Sequence, residues 1–259
     1  MARGDSRPAI QRFFEQTALA LFFITNIGAG AQVAPLAPRW LAGTPPPPVE
    51  TFAAGLTRHN VPLTEPDLLA ALKDPDGEVR SLAAAQLAAS DDHAALKELV
   101  RAFQDERDPQ VQVNIAGAAS WLGSNLAIEQ LKSICKDVNV PSIARLDAAR
   151  YTSNKQLPDC FPAVREMALA DQDASVRSLA ITAAVSYRNQ SDGAQKIAVQ
   201  SLNDIDPSVR VTAADSLRSL RDTDAIPALQ NTLKSEGDET AREHLREAVR
   251  VLQLAANTK

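Results

Sequence analysis

Asp206-Pro207-Ser208-Val209-Arg210 opens a helix, and Val211-Thr212-Ala213-Ala214-Asp215-Ser216-Leu217 continues it. The Asp206 carboxylate can accept hydrogen bonds from the free N–H groups of the first turn. Pro207 falls at the first helical position, where a missing N–H costs nothing. Val209, Ala213 and Leu217 recur at i, i+4 and i+8, an apolar stripe with small residues where a neighbouring helix must come close.

The chain repeats this phrase. Earlier copies are Asp76-Gly77-Glu78-Val79-Arg80, Asp108-Pro109-Gln110-Val111-Gln112 and Asp173-Ala174-Ser175-Val176-Arg177, and a later one is Asp238-Glu239-Thr240-Ala241-Arg242. Pro141-Ser142-Ile143-Ala144 is a weaker copy. Aligned on Val79, Val111, Ile143, Val176, Val209 and Ala241, the intervals are 32, 32, 33, 33 and 32 residues. A period of this length signals a solenoid or array. Each period also holds a second helical pattern: 92–104, 125–136, 160–170, 191–203 and 223–234. Each unit is thus a helical hairpin that can bury its apolar face only against its neighbours.

Composition agrees. The 259 residues hold 4% aromatics and 10 glycines, which suits close-packed helices and disfavours a β-sandwich or barrel. The formal charge of −5 argues against broad affinity for nucleic acid, which rests on Lys and Arg neutralising phosphates.

The first 31 residues read differently. Arg3, Arg7 and Arg12 precede the apolar run from Ala18 to Ile24, and Ala29-Gly30-Ala31 offers the small residues of a cleavage site. A signal peptide over 1–31 is expected, with cleavage near Ala31 and export to a periplasmic or extracellular space. An uncleaved N-terminal anchor is the alternative. Residues 32–49, with Pro45-Pro46-Pro47-Pro48, form a proline-rich tether, and 50–259 form the repeat domain. No membrane span is expected in the mature chain, and a monomer is expected.

Residues 66–254 resemble the HEAT-repeat family, particularly the short HEAT-like repeats also found in phycobilin lyases. The Asp-Pro-x-Val-Arg starts and the pairs Ala83-Ala84, Ala183-Ala184 and Ala213-Ala214 carry the resemblance. It implies an all-α, right-handed α-solenoid of about five HEAT-like hairpins plus a C-terminal capping helix, with second helices lining a concave face. It also implies a non-catalytic module that binds or scaffolds another protein. A bilin lyase on the same fold is the alternative. Gln112, and Ala144 followed by Arg145, depart from the family pattern, so a bend or opening is expected between Asp108 and Thr152.

Asp76, Asp108, Asp173, Asp206 and Asp238 read as helix caps. Arg80, Arg177, Arg210 and Arg242 read as bridges to the neighbouring repeat's Asp, with no catalytic role. His59, His93 and His244 form no i, i+4 pair, and Asp91 or Asp92 reads as a cap beside His93. No nucleophile motif, phosphate loop or His-Glu repeat of the family's di-iron hydroxylases occurs. No catalytic, cofactor or metal residue is assigned. Asn189-Gln190-Ser191 matches a glycosylation acceptor. A protein-binding groove would draw on solvent-facing residues of the second helices: Lys97, Glu98, Arg101, Glu129, Gln130, Lys132, Arg165, Glu166, Lys196 and Gln230. Cys135 ends one second helix and Cys160 starts the next. Parallel neighbours offset by ten residues would hold them about 15 Å apart, beyond the roughly 7 Å a disulfide allows, so no bond is expected.

Overall fold

A computed structural model describes residues 51–257. The expected signal peptide and the whole proline-rich tether lie outside the described residues. The chain divides into two compact units, Met1–Gln130 and Leu131–Lys259. Among the described residues there are α-helices and short 3-10 turns but no strand.

The first unit holds α1 (Phe52–Arg58), α2 (Glu65–Ala71), α3 (Gly77–Ala89), α4 (Leu96–Asp105) and α5 (Pro109–Trp121). α6 (Asn125–Lys136) runs across the division. α3 packs on α1, α2 and α5, and α5 packs on α4. The second unit holds α7 (Ser142–Asn154), α8 (Phe161–Ala170), α9 (Ala174–Ser186), α10 (Ser191–Ser201), α11 (Pro207–Leu220), α12 (Ile226–Ser235) and α13 (Glu239–Ala256). There α9 packs on α7, α8, α10 and α11, while α13 closes over α11 and α12. Within each unit, first helices thus stack on first helices, as the spacing requires.

The repeated phrase works as expected. Asp76, Asp108, Asp173, Asp206 and Asp238 each precede a first helix in extended conformation, and each side chain accepts from a first-turn N–H. The three Ala-Ala pairs are fully buried, so backbones approach where a larger side chain would hold them apart. In the third copy the buried apolar residue is Ala144, whereas Ile143 is only half-buried. The phrase is therefore displaced by one residue, Arg145 takes the arginine's place, and the intervals become 32, 33, 32, 33 and 32.

The turn from first to second helix has its own rule. Asn60, Asp91, Gln156 and Arg221 have positive φ, as does Gly123. The next residue's N–H bonds back to a carbonyl five positions earlier, as in Asp92 to Leu87, Leu157 to Thr152 and Asp222 to Leu217. This is the Schellman ending, which satisfies carbonyls that the last helical turn leaves free. A short 3-10 turn such as His93–Ala95 or Thr223–Ala225 precedes most second helices, and α4, α8 and α12 start later than their apolar pattern suggests.

One expectation fails. Cys135 and Cys160 form a disulfide, with Cα atoms 5.8 Å apart. The offset argument placed both residues on straight helices lying side by side in register. Cys160 instead belongs to the 3-10 turn Pro158–Cys160 ahead of α8. That turn lies against the last turn of α6, where Asp159 also meets Lys132 and Lys136 at 3.6 and 3.9 Å. Arg145 donates to the Cys135 carbonyl at 3.2 Å, holding the end of α6 against the start of α7.

Candidate functional site

The recurring arginine builds the junction between successive hairpins. Arg80 donates to both oxygens of Glu106 at 2.6 and 3.1 Å, and to the Asp74 and Pro75 carbonyls at 2.7 and 3.1 Å. Arg177 grips Asp204 at 2.8 and 2.7 Å, and Arg210 grips Glu236 at 2.6 Å through both bonds. The same loop carbonyls are used each time: Asp171 and Gln172 for Arg177, Asp204 and Ile205 for Arg210. The partner is not the capping aspartate of the next copy, as the sequence suggested, but the acid two residues before it. That acid also accepts the cap's own N–H, as Glu106 does from Asp108 and Glu236 from Asp238.

These pairs are shielded. The Glu236 side chain is 1% exposed and its Arg210 partner 16%. The hydrogen bond from Arg210 outweighs burial and holds the Glu236 carboxyl below its ordinary range. Burial pushes Glu106 and Asp204 the other way, but the bonds from Arg80 and Arg177, together with backbone N–H groups, leave both lowered. Such fork-shaped, charge-assisted bonds orient as well as attract. They are structural joints between successive hairpins.

Two copies lack the joint. Gln112 reaches the Phe103 carbonyl at 3.1 Å and the Glu106 carbonyl at 3.5 Å, with no carboxylate. In the third copy Asp171 is taken by the Ser142 hydroxyl at 2.6 Å, while Arg145 turns to Cys135 and lies 3.9 Å from Glu166. At the last copy Arg242 pairs with Glu239 of its own helix, consistent with a terminal cap.

Of the ten groove residues, the structure gathers two into a concavity. Glu98 and Arg101 line a cleft of about 330 Å³ in the first unit, with Leu69, Leu72 and Ala102 as its apolar part. Lys73, Arg107 and Asp105 contribute further charges, and the Arg80–Glu106 joint also lines it. Lys73 and Arg107 come from the loops after α2 and α4, outside the pattern that selected the groove. Sequence position alone does not flag them. Lys97, Glu129, Arg165, Glu166, Lys196 and Gln230 are exposed, as expected, and Gln130 is half-buried. Lys132 is less available than its helix position suggested, because it is committed to Asp159.

The histidines lie beside carboxylates. His244 Nδ1 lies 2.9 Å from Asp215, which Arg218 also approaches at 3.1 Å, linking α13 to α11. His93 lies 3.4 Å from Asp91, while Asp92 is the cap. His59, Asp76 and Glu78 bring potential metal-ligand atoms within 4.8 Å of one another. Arg58 already donates to Glu78 at 2.7 Å, and both carboxylates are exposed. Reading the chain missed this grouping because 17 residues separate His59 from Asp76. Among the described residues no serine, threonine or cysteine hydrogen-bonds to a histidine.

The family model described as HEAT repeats matches residues 65–151 and 161–250. The chain belongs to the HEAT-repeat family. No curated protein matches it. HEAT repeats generally mediate protein interaction or scaffolding, and a stack of hairpins offers a long, rigid face for that purpose. Among the described residues no helix is long and apolar enough to cross a membrane.

Proposed function

We propose that this HEAT-repeat protein is a non-catalytic docking module that binds a protein partner through the exposed faces of its second helices, outside the compartment where it is made. The observation that carries the reading is the first-unit cleft. It combines an apolar floor at Leu69, Leu72 and Ala102 with Lys73, Arg101 and Arg107, which form no salt bridge among the described residues. Apolar contact fixes an anchor while rim charges select and steer the partner. Family membership supports the class of function. The Cys135–Cys160 bond supports export, because disulfides persist in oxidising compartments, as does the signal-like start of the sequence.

A photo-crosslinking residue at position 101 tests the docking face, with one at the exposed Thr182 of α9 as control. A partner adduct is expected at 101 and not at 182, and Lys73→Glu with Arg107→Glu should abolish it. Equal adducts at both positions, or full capture by the charge-reversed protein, would sink the reading. Export is tested by N-terminal sequencing of the protein isolated from its cell. A start at Gln32 is expected, and a retained Met1 in a soluble cytoplasmic fraction overturns it.

A further inference from the structure

We propose that the Cys135–Cys160 disulfide is a redox-sensitive clasp that ties the last turn of α6 to the 3-10 turn ahead of α8, beside a copy that lacks its own arginine–acid joint. Three copies of the phrase hold their hairpin to the next through a forked bond: Arg80–Glu106, Arg177–Asp204 and Arg210–Glu236. The third copy has the arginine and the acid, but each is engaged elsewhere: Asp171 by Ser142, and Arg145 by the Cys135 carbonyl. The protein's single disulfide enters this copy at Cys160, ahead of its second helix, and binds it back to the end of α6.

The rest of the second unit is secured without it. Tyr187, fully buried, donates to the Ala149 carbonyl at 2.6 Å and lies 3.0 Å from the Thr152 hydroxyl, which fixes the end of α7 against α9. α9, α11 and α13 are linked through the two second-unit joints. The last turn of α6 and the loop 137–141 have less. Besides the disulfide, the Arg145 bond, the two long ion pairs of Asp159 and the buried Leu131 and Ile134 hold them. Asp137, Val138 and Asn139 are exposed, and the bond lies one residue from the helix end. Fraying of that turn is the route by which a reductant reaches sulfurs that are fully buried in the closed state.

The reaction needs a dithiol. Its thiolate attacks one sulfur, the S–S bond breaks, and the mixed disulfide is resolved by the second thiol. Two electrons and two protons pass to Cys135 and Cys160, and the dithiol leaves as its own disulfide. The reduced chain keeps 174–256 packed and releases 131–141. The released segment includes Lys132 of the second-helix face, so the shape of that face depends on redox state.

Hydrogen exchange of the full-length protein, oxidised and after dithiothreitol, tests this, with mass spectrometry confirming the gain of two hydrogens. Exchange over 131–141 should rise about tenfold or more, with 174–256 changed less than about twofold. The Cys135→Ser/Cys160→Ser protein should reproduce the pattern. Should it fail to fold, the reduced natural chain still decides. Arg210→Ala, with the disulfide intact, should loosen 207–256 and leave 131–141 unchanged. A uniform rise over 131–256, or no rise at 131–141, overturns the proposal.

Discussion

At the scale of single residues, the joint acids control how stability depends on pH. Glu236 has its carboxyl lowered from the ordinary 4.5 by Arg210. A lowered folded-state value means the contribution is complete above the unfolded value and is lost as pH falls through the folded one. Wild-type stability should therefore drop below about pH 4.5. Glu236→Gln should be less stable at pH 7 and flatter in acid, as read by urea unfolding at pH 7 and pH 3.5. An unchanged acid slope would show that Glu236 does not titrate in the joint. Arg210→Ala strands a carboxylate that is 1% exposed and should cost about 2–4 kcal/mol. The capping aspartate is worth less: Asp206→Ala should cost about 1 kcal/mol in the same assay.

At the scale of elements, two substitutions set opposing effects against each other. Gly193 lies in α10, where alanine would favour the helix by about 1 kcal/mol. An added Cβ there would sit 2.7 and 2.8 Å from Cε1 and Cζ of Phe161. That ring is buried and meets Tyr187 edge-on at 5.5 Å, so it has little room to move. Overpacking of this kind costs about 1–3 kcal/mol and should win, making Gly193→Ala less stable in thermal melts. Arg221 is the converse case. It is exposed, has no ion pair and carries φ 55 at the end of α11. Glycine relieves that left-handed strain, and Arg221→Gly should stabilise by about 0.5–1 kcal/mol. A lower melting temperature for Arg221→Gly would mean the Schellman turn is not strained by its side chain.

At the scale of the whole molecule, stability within each unit is a sum of neighbouring-helix terms, since α3 packs on α5 and α9 on α11. Arg80→Ala should raise hydrogen exchange over 77–121 and leave 174–256 unaltered. Loss of protection at both ends would contradict a one-dimensional stack. Function follows the same layout: a cleft such as that between Lys73 and Arg101 uses side chains from successive hairpins, and its shape is only as firm as the Arg80–Glu106 joint lining it.

The sequence by itself determined the repeat, the helix starts and their caps, because these are local. An aspartate, the N–H groups two or three residues on, and an apolar residue every turn lie within one helix, and a period of 32 or 33 residues is visible without coordinates. Only the tertiary structure decided contacts between segments. It selected Glu106, Asp204 and Glu236 as arginine partners 26 or 27 residues downstream. It moved the third register from Ile143 to Ala144, and it grouped Lys73 and Arg107 with Arg101. The disulfide is the clearest case. Regular spacing placed Cys135 and Cys160 too far apart, yet a 3-10 turn and a redirected arginine bring them together. Periodicity describes the average repeat, and this bond forms where one repeat departs from it.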